Sequence, residues 1–233
     1  MSALQPARSA GALWLLLALL CGLGGGWMLA EARTQPEPGP SPIDIAFAQF
    51  MSLHHQQAIG MAQMMLDGRP TPLAGRARSV AYSQLLELGQ MQGWLRLWDE
   101  PLQPPNLRDM NWMRLGAEPP DASLQQYLID CERSPTGMPG LASLEQLQGL
   151  RVAEGVDKDR QFLRLLLAHH EGGLPMAAFA ARNARLPLVR QLAAQITLEQ
   201  SQEVAELRRS LQVMAQLESR LPGVHSEVAP PTE

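Results

Sequence analysis

This sequence predicts an all-helical fold, a four-helix bundle made of two duplicated helical hairpins, and three observations carry that prediction. Phe47, Met51, His54, Ala58, Met61 and Met65 recur at alternating spacings of four and three, which traces one face of a helix. The second half repeats the first at a constant offset of 115 residues: Asp44 matches Asp159, Phe47 matches Phe162, His54 and His55 match His169 and His170, Met61 matches Met176, and Ala62 matches Ala177. Each repeat also supplies a second helix, on which Gln84 and Glu87 match Gln200 and Glu203 once the offset changes by one residue in the loop. Two similar hairpins packed together make such a bundle.

Residues 1–33 read as a signal peptide or membrane anchor. No charge occurs between Arg8 and Glu31, and Gly11–Ala30 is long enough in principle to cross a bilayer. Ala30 and Ala32 offer a small-x-small cleavage site. The length of the uncharged stretch and the positive N-terminal flank favour an uncleaved anchor, with the cleaved form left open. Leu20 before Cys21 speaks against a lipoprotein, since small residues are usual there. Residues 34–42, TQPEPGPSP, form a stiff proline-rich linker. The working domain is therefore expected outside the cytoplasm, periplasmic or at the cell surface, either membrane-anchored or secreted.

The bundle covers residues 43–218. Repeat one, 43–99, holds a helix from Asp44 to Asp67, stopped by DGRPTP, and a second from about Leu73 to Trp98, stopped by Pro101. A connector, 100–140, carries PLQPP, AEPP and SPTGMPG around one helical piece near Ser123–Cys131. Repeat two, 141–218, opens with a short helix ended by Gly155, runs on in a long helix from Asp157 to about Asn183, and closes with a helix from Pro187 to about Glu218. Residues 219–233 are expected to be a disordered tail.

Several function classes are excluded at this level. A net charge of −4 and a pI near 5.8 give no basic field, so nucleic acid is not a partner. Cys21 and Cys131 are the two cysteines, which rules out a disulfide scaffold and leaves Cys131 as a small buried apolar residue. There is no glycine-rich phosphate loop, no Gly-x-Ser-x-Gly and no Cys-x-x-Cys, so hydrolase and disulfide-exchange chemistry lack their signatures and no enzymatic activity is assigned.

The histidines carry the chemistry. Four of the five sit in the two His-His pairs, and adjacent helical residues point about 100° apart, so each pair divides two tasks. His54 shares its face with Met51, Ala58 and Met61, whereas His55 lies nearer Met51, Ile59 and Ala62. The matching placement of His169 and His170 brings imidazoles from two helices toward a common interior, with Gln84, Glu87, Gln200 and Glu203 facing them from the partner helices. Neutral imidazole suits copper, zinc, iron and nickel, and thioether sulfur favours Cu(I), so the candidate cofactor is copper, with zinc second. The candidate metal residues are His54, His55, His169, His170, Met51, Met61, Glu87, Glu203 and Met176. Met61, Met64 and Met65, together with Met51 and Met91, form the richest sulfur group. Against this, methionine at helical spacing is usually core filler, which is the individual reading for Met64, Met65 and Met176. Glu87 and Glu203 could equally serve to orient or merely satisfy the histidines.

The chain resembles domain-of-unknown-function family 305 from Ile43 to Leu211. The residues that carry the resemblance are Asp44, Phe47, Met51, His54, His55, Ala58, Ile59, Met61, Ala62, Gln84, Glu87, Met91 and Trp94 in the first copy. In the second they are Gly137, Met138, Pro139, Asp159, Phe162, His169, His170, Gly173, Met176, Ala177, Leu192, Ile196, Gln200 and Glu203. The resemblance implies a ferritin-like bundle of duplicated hairpins, secreted or membrane-associated, with copper or other metals bound by some members and no settled enzymatic activity. The second copy departs from the pattern: Leu166 stands where Met51 is matched, Leu207 where Met91 is matched, and Pro175 is expected to interrupt the helix after Leu174. The stronger site is therefore expected in the first repeat.

Three functions follow from these residues. The first is extracytoplasmic metal binding for sequestration, delivery or tolerance. The second is a membrane-anchored interaction module presenting helices to a partner, with Trp94 and Trp98 packed in the bundle and Trp112 beside Met110 and Met113 in the connector. The third is a di-iron oxidase, which ranks lowest because no Glu-x-x-His occurs and Glu87, Glu203 and Glu171 are too few to hold two irons. The partners expected are a metal ion, a membrane if the leader is retained, and a second copy of the chain if it forms a homo-oligomer. His225, isolated in the tail, has no assigned role.

Overall fold

The computed structural model describes residues 14, 17–23, 26–27 and 39–220. Within the unit Met1–Pro38 the described residues are helical and exposed. No helix among the described residues is long and apolar enough to cross a membrane. The membrane helix expected within 1–33 therefore finds no support, and most of that segment lies outside the described residues, as do linker residues 34–38 and tail residues 221–233.

The unit Gly39–Glu233 is helical, with no strand among its described residues. Helix α1, Pro42–Met65, starts two residues before the expected Asp44 because Ser41 and Asp44 form a capping box and Pro42 pre-sets the first helical φ. Helix α2, Ala74–Leu97, returns beside it and buries Ala77, Val80, Gln84, Glu87, Met91 and Leu95. A 3₁₀ turn, Asn111–Arg114, and helix α3, Ala122–Arg133, occupy the connector. Helix α4, Leu144–Val152, is capped by Ser143 and Gln146. Gly155 does not end that helix. With φ +53° it opens the next, α5, Gly155–Asn183, which is followed by α6, Pro187–Arg220, so the last helix runs two residues into the expected tail.

The two hairpins, α1–α2 and α5–α6, pack together mainly through α1 and α5. All four long helices contribute to two apolar clusters. One gathers Phe47, Phe50, Met51, Met91, Leu95, Met176, Phe179, Leu192 and Ile196, and the other gathers Met61, Met65, Val80, Phe162, Leu163, Leu166 and Leu207. Along every one of these helices the residues between the clusters are the polar ones the duplication had marked: His54 and His55, Gln84 and Glu87, His169 and His170, Gln200 and Glu203. A polar layer thus crosses the bundle at mid-height. Because α1 and α5 run in opposite directions, equivalent residues of the two repeats meet at this layer.

The repeated aspartates tie each hairpin to the other. Asp44 accepts from the Ser41 backbone N–H at 2.7 Å and from the backbone N–H groups of Arg185 and Leu186 at 3.2 and 2.9 Å, so it caps its own helix while holding the α5–α6 turn. Asp159 accepts from the Thr71 hydroxyl at 2.6 Å and so holds the α1–α2 turn. The two-fold logic of the duplication therefore extends from the core to both turns.

Two expectations are corrected. Pro175 does not interrupt its helix: α5 continues through it to Asn183. A proline inside a helix sacrifices one hydrogen bond and typically costs about 3 kcal/mol, which here is opposed by the burial of Met176, Ala177, Phe179 and Ala180 just beyond it. Nor is 100–140 merely a connector, since Met110, Trp112, Met113, Tyr127, Leu128, Cys131 and Met138 are buried in the first apolar cluster. Trp112 stacks on Phe50 and meets Phe179 edge-on, and Trp94 and Trp98 stack on each other against the same cluster. The Tyr127 hydroxyl donates to the Gly172 carbonyl at 2.9 Å. Close approach here requires glycine: a Cβ on Gly172 would lie 2.0 Å from the Pro139 carbonyl oxygen, and one on Gly140, at φ +83°, would lie 2.2 Å from that of Ala168.

Asp44→Ala removes a cap and two turn tethers together and is expected to destabilise the protein by about 2–4 kcal/mol in urea unfolding. Asp159→Asn, which retains an acceptor for Thr71, is expected to cost about 1 kcal/mol or less. Equal losses at the two positions would show that the tethers do not act as described.

Candidate metal centre

The central layer is built by helix geometry. The register that buries Phe47, Met51, Ala58 and Met61 places His54 on the same inward face, and the rotation to the next residue turns His55 toward α2. The same holds on α5, and all four imidazoles are fully buried. His55 and Glu87 meet through Nε2 and Oε2 at 2.6 Å, and His170 Nε2 lies 2.7 Å from Glu203 Oε2. The second approach lies off the hydrogen-bonding direction, and its carboxylate is the more exposed, 28% against 7%. The first repeat therefore holds the drier and better-formed pair.

The inner histidines meet each other. The His54 and His169 ring centroids are 3.7 Å apart at an interplanar angle of 34°. His169 Nε2–H donates to the His54 carbonyl at 2.8 Å. The reciprocal bond is missing, and both His54 ring nitrogens are buried without a partner. Burial, followed by the neighbouring imidazoles, holds His54 well below the ordinary histidine value of 6.5, and His169 is likewise lowered, chiefly by burial and then by His170. Both rings are neutral at neutral pH and keep the lone pair that a metal requires.

The orphaned atoms make the fit to a metal testable on the structure itself. All four Nδ1 atoms are buried without hydrogen-bond partners, as are both amide atoms of Gln84 and of Gln200. A buried polar group left unsatisfied costs about 1–3 kcal/mol, and the lone pairs among these atoms, one on each neutral imidazole and those of the amide oxygens, are open to a ligand that accepts electron pairs. Glu87 adds to the pattern, because a histidine whose Nε2–H it holds, as His55 does, presents its Nδ1 lone pair in a fixed direction. This donor set fits a borderline or soft cation. Among the described residues, however, no three His, Cys, Asp or Glu side chains gather into one ready-made cluster. The two tilted rings are too close for an ion to fit between their faces, so an ion would have to be held at ring edges.

The expected sulfur group does not assemble. Met51, Met91 and Met176 lie in the first apolar cluster and Met61 and Met65 in the second, on opposite sides of the histidine layer, with Met64 half-buried against the second. Among these, Met51 and Met61 flank His54 along α1 and remain the sulfur donors nearest to it in sequence. Glu171, considered near the histidines, turns outward and pairs with Arg208 at 2.7 Å. Cys131 is buried, and burial raises its thiol to about 11, consistent with a packing residue. Sequence reasoning passed over the part played by Gly173, against which the His54 ring rests. Its signal was the glycine standing where the first repeat has Ala58.

Fold and site together define a duplicated-hairpin helical protein with a buried histidine layer. Residues 44–211 match the family described as Domain of unknown function (DUF305), and the chain belongs to that family. A DUF305 protein from Streptomyces coelicolor, classed as a candidate secreted protein, is 28% identical, with 71% of this chain and 89% of that one covered at a TM-score of 0.58. A DUF305 fragment from Deinococcus radiodurans is 26% identical, with 75% and 99% covered and a TM-score of 0.57. CopM in its Cu(I)-bound form is 26% identical, with 73% and 96% covered and a TM-score of 0.51. Among curated proteins, none matches the chain significantly.

The lowered histidines imply a direction for pH dependence. Between 6.5 and the depressed folded values the unfolded chain binds more protons than the folded one, so stability is present above 6.5 and lost as the pH falls below it. The thermal unfolding midpoint is expected to fall between about pH 7 and pH 5, and His54→Asn is expected to flatten that fall. A wild-type midpoint independent of pH over this range would contradict neutral, buried imidazoles.

Proposed function

We propose that this protein is an extracytoplasmic metal-binding bundle, copper first and zinc second, that sequesters the ion, delivers it or confers tolerance to it. The observation that carries the reading is the pair of neutral, fully buried inner imidazoles, 3.7 Å apart, whose Nδ1 atoms have no partner in the protein. His54 and His169 are the central ligands. His55 and His170, facing Glu87 and Glu203, are the further imidazole donors of the layer, and the candidate thioethers Met51 and Met176 on one side of it and Met61 on the other are auxiliary donors that would have to reach in from the flanking clusters. Soft sulfur beside imidazole favours Cu(I), and CopM, a structural relative, is a protein known in a Cu(I)-bound form. The apolar leader in 1–33 and the designation of the Streptomyces relative support a location outside the cytoplasm.

The competing reading is a purely structural layer. It is favoured by the bonds from His169 to the His54 carbonyl and between His55 and Glu87, which satisfy those two Nε2 atoms without any ion. A ferritin-like di-iron oxidase is disfavoured by the carboxylate count, since Glu171 faces solvent and Glu87 and Glu203 are engaged with histidines.

Anaerobic titration of the purified full chain with Cu(I), together with metal analysis of protein from its own host, decides between these readings. Wild type is expected to bind copper with a Kd at or below the micromolar range, and His54→Ala and His169→Ala to lose about 10–100-fold in affinity. Equal metal content in wild type and both variants would leave the structural layer as the correct account.

A further inference from the structure

The duplication makes the two inner histidines equivalent by sequence, yet they are not equivalent in space. His169 is fixed by its bond to the His54 carbonyl, while the His54 ring makes no hydrogen bond through either nitrogen. What holds His54 is shape. A Cβ on Gly173 would stand 2.6 Å from its Cε1, closer than real Cβ atoms come, and 3.0 and 3.2 Å from its Nε2 and Nδ1, so the ring would have to shift. The ring therefore lies against bare backbone of α5 on one side and meets the His169 ring on another. At the matched position of repeat one stands Ala58, whose methyl is fully buried in the second apolar cluster. The first repeat offers His169 no such notch.

Gly173 is costly where it sits, since glycine inside a helix loses about 0.5–1 kcal/mol relative to alanine, and α5 already carries Gly172 and Pro175 nearby. Gly172 is explained by its contact with Pro139, and Gly173 is explained by nothing but the His54 imidazole. We infer that Gly173 is a positioning residue: its missing side chain seats the His54 ring with both nitrogens open, breaks the symmetry of the duplicated layer, and makes His54 the anchoring ligand of a single ion per chain rather than one of two equivalent sites. This deepens the copper reading above and rests on it for the identity of the ligand. The seating of the ring does not.

Two measurements on the full chain test it. In a thermal-unfolding cycle, Gly173→Ala is expected to lower the midpoint of wild type but not of His54→Ala, because the clash disappears with the ring. In Cu(I) titration, wild type is expected to bind one equivalent, and Gly173→Ala to bind at least about tenfold more weakly with a shifted His54 ring resonance in the metal-free protein and an unshifted His169 resonance. Ala58→Gly is expected to leave copper affinity unchanged. If Gly173→Ala does not fold alone, the His54→Ala, Gly173→Ala double variant is expected to fold. Additive destabilisation in the cycle, wild-type affinity in Gly173→Ala, or two equivalent ions per chain would each overturn the inference. A wild-type chain that binds no copper at all would sink the metal reading, and the unfolding cycle, which needs no metal, would still decide whether Gly173 seats the ring.

Discussion

Burying four imidazoles between two apolar clusters is the constraint on which the rest of this structure depends. The clusters supply the drive to fold, because apolar surface leaves water whatever the exact register of the helices. The polar layer is less forgiving. His54 and His169 must be neutral, His55 and His170 must reach carboxylates, and all of this must happen at one height on four helices. A slip of one turn along any helix would set a charged or amide group against methionine and phenylalanine, so the layer selects the register that the apolar clusters alone would leave loose.

The antiparallel crossing of α1 and α5 turns a sequence repeat into a local pseudo-two-fold axis. Along that axis the matched residues do matched work: Asp44 and Asp159 each hold the opposite hairpin's turn, and Glu87 and Glu203 each face an outer histidine. Where the copies differ, the chemistry differs too. Leu166 replaces the sulfur of Met51, Glu203 is wetter than Glu87, and Gly173 opens a notch where Ala58 closes one.

The connector shows how a segment rich in proline and glycine can still belong to the core. Its bends permit no long helix, but they deliver Trp112, Met113, Tyr127 and Met138 onto the end of the bundle where Phe50 and Phe179 need cover. Its Pro139–Gly140 turn meets α5 backbone to backbone at Gly172, directly beside Gly173. The packing of the connector and the seating of His54 are thus neighbours on one turn of one helix.

Helical periodicity, the 115-residue repeat and the capping residues were enough to place every long helix to within about two residues, and to name the histidines, glutamines and glutamates that meet at the centre. Those features are local or pairwise along the chain, and a repeat reports contact between copies without any coordinates. Other features arise only when distant backbones approach. These are the close, tilted approach of the His54 and His169 rings, the division of the methionines between two clusters, the continuity of α5 through Pro175, and the fit of a ring over Gly173. Spacing along a helix gives the direction in which a side chain leaves the axis. How closely two axes approach, and so which glycine is needed and which imidazole stays open, was decided by the packing of both hairpins together.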